Sequence, residues 1–441
     1  MVEVTPVLFG SKQKRITLGL MVALSGSIFL QQGAIAEKAG SSVGNKQVLN
    51  GIYTENLDAG NAFQQAIDFY QRGEFPRANK YVEVALTFDP WMPMAHYLQG
   101  HLFLEAEKPK KAQEAYANAT QFDPTFVEAY YNLGLVSYDL GDINSAIAAF
   151  GEAIRLEPEF VDAYFQLALA YDVQGQSSLA QTNYIKTLEL DNTYVAAHNN
   201  LGILLAADER TAEAIATFEE AIELDPDYAP AHYQLGLLYL KQNEFELALE
   251  AIGSAASLDP DNALAQYHYG LLLAEAENYD GAAKRFERSI DINPTNVSAY
   301  RQLGVAELAN GDLDDALVAF QEALNLDPSD PLSHYNLGVV YQKQAQYTLA
   351  IAAYEQALIY DPALSEAVFN IGVSYQALGD SRQATTFIVQ ARELFAQEGR
   401  DFKVQEADRF LQQQILNPPT SGTTPPAEPV EQKASPTEVQ A

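Results

Sequence analysis

"EAYYNLGLVSYDLGD" occupies residues 128–142, and the chain writes the phrase again as "DAYFQLALAYDVQGQ" (162–176), "LSHYNLGVVYQKQAQ" (332–346) and "EAVFNIGVSYQALGD" (366–380). The offsets of 34, 204 and 238 residues are all multiples of 34. Laid out at that period, ten copies begin at 59, 93, 127, 161, 195, 229, 263, 297, 331 and 365. A fixed internal period overrides length as a guide to architecture, so most of the 441 residues read as one array of repeated units.

With each copy numbered 1 to 34, position 20 is alanine in all ten, from Ala78 to Ala384. Position 8 is glycine in eight, such as Gly100, Gly134 and Gly304, with Ala66 and Ala168 in the others. Position 24 is always large and apolar, from Val82 and Tyr116 through Phe320 to Ile388. Position 32 is proline in eight, for example Pro90 and Pro328. Antiparallel helices approach to about 8–10 Å only as side-chain size at the crossing allows, so small residues mark where they touch. The large residue at position 24 fills the space beside the crossing. Proline lacks an N–H and disfavours helix in the residue before it, which ends the second helix and turns the chain toward the next copy.

This pattern resembles the tetratricopeptide repeat (TPR) family, a 34-residue helix-turn-helix with aromatic, Leu-Gly, Tyr, Ala, Phe and Pro at fixed places. The resemblance covers residues 59–398. It implies an all-α, right-handed superhelical solenoid of ten hairpins. Departures are local: Tyr130, Tyr164, Tyr300 or a histidine replaces the family's Trp at position 4, and the one tryptophan, Trp91, sits in a turn between copies. Asn192 and Ala396 stand where proline is expected, and Thr187 occupies the usually small position 27, which predicts a loosened 180–195 junction. A last copy needs a lid. "RDFKVQEADRFLQQQIL" (400–416) offers Phe402, Ala407, Phe410 and Leu411 on one side, so residues 399–416 read as a capping helix. The 417–441 tail, with six prolines and no aromatic residue, reads as disordered.

At the other end, "SKQKRITLGLMVALSGSIFLQQGAIAEKAG" (11–40) joins a basic cluster (Lys12, Lys14, Arg15), an uncharged apolar run (Ile16 to Leu30) and the small-x-small site Ala34-Ile35-Ala36. That is the layout of a secretory signal peptide over residues 1–36, cleaved after Ala36, followed by a linker over 37–58. The apolar run makes a helix of about 22 Å against a hydrocarbon core of about 30 Å, so the chain is expected to be exported, periplasmic in a Gram-negative-type cell, with no stable membrane insertion after cleavage. Retention as an uncleaved membrane anchor is the alternative. The absence of cysteine excludes disulfides, thiol catalysis and cysteine-borne lipid. A formal charge of −33 repels phosphate backbones, so nucleic acid is not expected as a partner. No Gly-rich phosphate loop, Ser-His-Asp set or HExxH occurs, and enzymatic activity is not expected.

The resemblance implies a concave groove lined by first helices at positions 2, 5, 9, 12 and 13, with position 6 close by, and a protein or peptide ligand lying in it. Position 5 runs Phe63, Tyr97, Tyr131, Phe165, Asn199, Tyr233, Tyr267, Arg301, Tyr335 and Phe369. Position 6 includes Asn132, Asn200, Gln234, Asn336 and Asn370, whose amides both donate and accept. Rings beside amides suit an extended polypeptide of loosely specified sequence, because rigid rings give contact area at small entropy cost. The same phrases also serve hairpin packing. Four histidines share position 4, a packing place, whereas His101 (position 9) and His268 (position 6) are better placed to face the groove. Around His101 lie Glu105, Glu128, Asp139, Asp162 and Asp172, a candidate oxygen-rich site for Mn²⁺ or Ca²⁺. The array behind an export signal is also similar in style to cyanobacterial TPR factors, including the periplasmic kind that assists photosystem II assembly and carries manganese.

Overall fold

The computed structural model describes Thr54 and residues 56–412, and among them the chain is all-α, with twenty-one helices and no strand. The expected export signal, nearly all of the linker and the tail lie outside the described residues. The chain divides into two compact units at Pro226–Asp227. The first holds five helical hairpins: α1 (Leu57–Gln71) with α2 (Phe75–Phe88), α3 (Pro93–Glu105) with α4 (Pro109–Phe122), α5 (Val127–Asp139) with α6 (Ile143–Leu156), α7 (Val161–Val173) with α8 (Ser177–Leu190), and α9 (Val195–Ala207) with α10 (Thr211–Leu224). The second holds five more: α11 (Ala229–Lys241) with α12 (Phe245–Leu258), α13 (Ala263–Glu275) with α14 (Tyr279–Ile292), α15 (Val297–Asn310) with α16 (Leu313–Leu326), α17 (Pro331–Lys343) with α18 (Tyr347–Tyr360), and α19 (Ser365–Ala377) with α20 (Ser381–Gln397). A last helix, α21 (Asp401–Phe410), packs on α20. Within each unit, every second helix also packs on the first helix of the following copy, so neighbouring hairpins share one core.

The helix crossing is a ring laid on bare backbone. An added Cβ at Gly304 would sit 2.7 Å from Phe320 Cε1, and one at Gly202 would sit 2.7 Å from Phe218 Cε1. The same contact joins Gly100 to Tyr116, Gly134 to Phe150, Gly270 to Phe286 and Gly338 to Tyr354. In the first copy the pair is Ala66 with the smaller Val82, and in the fourth it is Ala168 with Tyr184, all four fully buried. Position 20 is fully buried in every copy. Thr187, expected to loosen its junction, is instead fully buried, with its hydroxyl donating to the Asn183 carbonyl at 2.9 Å within α8.

Two kinds of turn join the helices. Within hairpins, position 15 has positive φ in all ten copies: five times glycine, and at Glu107, Glu209, Asn243, Glu277 and Ala345 otherwise. Between copies, the Asp or Asn before the proline position folds back on the chain. Asp123 accepts from the Thr125 amide at 2.9 Å, Asp191 from Thr193 at 2.9 Å and Asp327 from Ser329 at 3.0 Å. That side-chain bond substitutes for a backbone turn bond, which is why Asp191-Asn192 turns as well as Asp-Pro does. In the final helix, Ala407 and Phe410 are buried against Phe369 and Phe395, but Phe402 is 52% exposed under the Arg409 guanidinium, and so stands off the capping face.

Gly304→Ala should lower unfolding stability by about 1–3 kcal/mol through overpacking against Phe320. Adding Phe320→Val, to copy the Ala66–Val82 pairing, should recover part of that loss in urea unfolding followed by circular dichroism. Ala345→Gly should raise stability by about 0.5–1 kcal/mol, because the left-handed conformation strains a residue with a Cβ and not glycine. The same measurement on Gly311→Ala should move the other way.

Candidate functional site

The first helices carry both rows of expected contact residues, and the structure uses most of those residues internally. Phe63, Tyr97, Tyr131, Phe165, Tyr233, Tyr267, Tyr335 and Phe369 are all buried, none more than 9% exposed, and Asn199 is fully buried with them. Six of the eight rings pack on another ring inside their own copy. Tyr97 packs on Phe126 (centroids 4.8 Å) and Tyr116 (5.7 Å), Tyr131 on Phe160 (4.8 Å) and Phe150 (5.9 Å), and Phe165 on Tyr194 (4.7 Å) and Tyr184 (5.7 Å). Position 5 therefore fills the wedge between the two helices of a hairpin and the residue that leads into the next. It offers no free ring face. The expectation of an aromatic lining is corrected on this ground.

Part of the amide row is committed as well. Asn132 donates from Nδ2 to Tyr97 Oη at 3.1 Å, and Asn370 to Tyr335 Oη at 3.0 Å. Tyr233 Oη and His268 Nδ1 lie 2.8 Å apart, with His268 in the Asn/Gln position. Asn200 donates to Tyr184 Oη at 3.3 Å and accepts from Asn199 at 3.0 Å. The hydroxyl of one copy is thus tied to position 6 of the next, and the two rows act as struts between hairpins. Gln234 and Asn336 are buried in the same row. Burial of this kind holds the Tyr233 and Tyr335 hydroxyls un-ionised, well above the usual phenol range.

Arg301, the exception at position 5, makes a buried ion pair. Its Nη1 donates to both carboxylate oxygens of Asp330, at 3.0 and 2.9 Å, with both side chains about nine-tenths buried. Asp330 occupies position 34, where copies two to four carry Phe126, Phe160 and Tyr194. In copy eight an ion pair replaces the ring pair. The sequence signal for this pair is the joint change at positions 5 and 34 of one copy, an arginine and an aspartate where copies two to four carry two rings.

The histidines divide as their places imply. His96, His198 and His334, at position 4, lie 2.9, 3.0 and 3.0 Å from the carbonyls of Pro90, Asn192 and Pro328. Since a carbonyl only accepts, Nε2 carries the proton and donates, so these rings tie each first helix to the turn before it. His101 stands edge-on to Tyr97 (4.6 Å, 88°) and to Tyr116 (5.5 Å, 84°), and burial lowers its pKa to about 4, so it stays neutral. The carboxylates proposed around it are not gathered on it: among the described residues, no group of three or more His, Asp or Glu is placed to hold a metal ion. Asp162 instead accepts from Tyr194 Oη at 3.2 Å. Glu105 and Asp139 are exposed, and Glu128, Asp162 and Asp172 are half-buried.

In copies two to four, positions 2, 12 and 13 of the first helices are all accessible. They are Met94, Glu128 and Asp162; Leu104, Tyr138 and Asp172; and Glu105, Asp139 and Val173. It is a mixed face, in which apolar side chains alternate with carboxylates. No described helix is long and apolar enough to cross a membrane.

Comparison with known proteins agrees with this architecture. TPR repeat models match residues 100–141, 134–175, 204–243 and 306–345, and further tetratricopeptide repeat models match 233–297, 286–318 and 331–364. Together they span 100–175 and 204–364, more than half of the chain, which belongs to the tetratricopeptide repeat family. Similar solved structures include YrrB, described as a TPR protein with an unusual peptide-binding site, at 25% identity over 42% of this chain and 95% of that one (TM-score 0.41). MamA is 27% identical over 37% and 96% (TM-score 0.36), and yeast Tom70 is 14% identical over 82% and 97% (TM-score 0.36). Comparison with curated protein sequences returns no match.

Breaking the buried pair by Arg301→Leu or Asp330→Asn alone should cost about 3–5 kcal/mol, since either leaves a charge or donor unpaired. The double change Arg301→Tyr with Asp330→Phe, which copies Tyr97 with Phe126, should regain most of that in denaturant unfolding. A double variant no more stable than the singles would mean the ring pair cannot be transplanted.

Proposed function

We propose that the chain is an exported, non-enzymatic scaffold that holds a segment of a partner protein against the first helices of its repeats. TPR arrays serve protein–protein interaction, and that coarse role follows from the family. The observation that carries the finer reading is the mixed face at positions 2, 12 and 13 of copies two to four, where all nine side chains are half-exposed or exposed. The buried ring and amide rows set the spacing of that face from copy to copy. Export is supported by the basic, apolar and small-residue segments of residues 11–36.

Substitution of the rings cannot test this role, because each Tyr→Ala change at 131, 233 or 335 would empty core volume and cost about 3–5 kcal/mol. A photo-crosslinking residue placed at Leu104 or Val173 (first helices) should capture the native partner in the source cells. The same residue at Leu179 or Val318 (second helices) should capture little, and the recovered mature chain should begin after Ala36. Capture only from the second helices would overturn the reading.

A further inference from the structure

Five carboxylates on the first helices of copies two to four, Glu105, Glu128, Asp139, Asp162 and Asp172, make no ion pair with any described residue. The cations nearest in sequence, Lys108, Lys110 and Lys111, lie on or just before α4 and pair with none of them; Lys111 sits over the Phe103 ring instead. Like charges on consecutive first helices without counter-charges repel one another. Partial burial adds to that cost, raising the carboxyl pKa of Asp162 and Asp172 with no cation to offset it. Large apolar side chains lie open on the same helices: Leu104 is 40% exposed and Val173 is 39% exposed.

A second observation comes from behind this face. Tyr116 is completely buried, yet its hydroxyl has no hydrogen-bond partner, and neither has the adjacent buried His101 Nε2. In other copies the hydroxyl at the same position is satisfied: Tyr184 accepts from Asn200, and Tyr354 donates to Gln342 Oε1 at 2.8 Å. The counterpart of Gln342 in copy two is Leu104, which cannot accept, while Asn132 is already spent on Tyr97. Of the buried polar atoms that the fold leaves unmatched, Tyr116 Oη and His101 Nε2 are two of the three in copy two, and they lie on or behind the helix that carries Leu104 and Glu105.

We propose that the first-helix face of copies two to four is the docking surface for a basic segment of a partner protein, in which lysine or arginine residues alternate with apolar ones. The inference rests on the scaffold reading above and adds the chemistry of the partner. Ammonium and guanidinium groups are donors only, which matches a face of carboxylates. One such group, entering beside Leu104 as that side chain turns aside, meets His101 Nε2 and Tyr116 Oη as acceptors. The apolar residues of the segment cover Leu104 and Val173. Charge complementarity sets the choice of partner and its association rate, with the apolar contacts holding it in place.

The test uses the whole chain, with fluorescence anisotropy of a labelled peptide alternating lysine with leucine and of its glutamate counterpart. The lysine peptide should bind, the glutamate peptide should not, and binding should weaken as salt rises. Glu105→Gln with Asp139→Asn and Asp172→Asn should weaken the lysine peptide at least about tenfold, whereas Glu246→Gln with Glu250→Gln and Glu322→Gln, all on second helices, should leave it unchanged. Tyr116→Phe should raise the melting temperature, by removing an unmatched hydroxyl, yet weaken the lysine peptide several-fold. Equal loss from the second-helix set, or equal binding of both peptides, would overturn the proposal. If the glutamate peptide alone binds and crosslinks at Leu104, the scaffold reading stands and the basic partner falls.

Discussion

Everything in these repeats is arranged around how closely two helices can approach when one of them presents no side chain. At Gly100, Gly134, Gly202, Gly270, Gly304 and Gly338 a ring from the second helix lies directly on the backbone of the first, in space that a single methyl group would already overfill. Because the interior is close-packed, that contact fixes the separation of the pair and hence the position of every residue on the outward side of the first helix. The fully buried alanine at position 20 performs the reciprocal service from the second helix. The first copy relaxes glycine to Ala66 and opposes it with the smaller Val82, whereas the fourth opposes Ala168 with a full ring at Tyr184, so the crossing tolerates more than one pairing of sizes.

A second layer of organisation joins hairpin to hairpin through polar atoms. Tyrosine hydroxyls at position 5 meet amides or an imidazole at position 6 of the next copy, and position-4 histidines hold the carbonyl of the preceding turn. These bonds are buried and directional, so they fix the register of stacking as hydrophobic contact alone would not. Copy eight reaches the same end with Arg301 and Asp330. A buried pair is costly to break and adds little net stability over well-packed rings, so its use in one copy points to interchangeable solutions for one wedge-shaped space.

The sequence made the hairpins legible because their determinants are local and periodic: small at 8 and 20, large at 24, a turn at 31–32. It made the lining residues less legible. Helical spacing places position 5 on the same general side as positions 2, 9 and 12, and a linear pattern cannot say that residue 34 of the same copy folds back over the ring. Phe126, Phe160 and Tyr194 do so, and that contact turns Tyr97, Tyr131 and Phe165 from surface into core. The acidic residues of copies two to four illustrate the converse. Their identities were plain, but their division among exposed helix ends and a Tyr194 hydroxyl depended on three-dimensional placement.

The reversal inside each hairpin has a wider meaning. Every copy bends through a left-handed residue, yet only half supply glycine there, and copies five, six and seven pass in succession through Glu209, Asn243 and Glu277. The array can therefore grade its own firmness along its length, one loop at a time, with no change to any helix. A molecule built this way leaves its helix packing alone while the strain held in its loops differs from copy to copy.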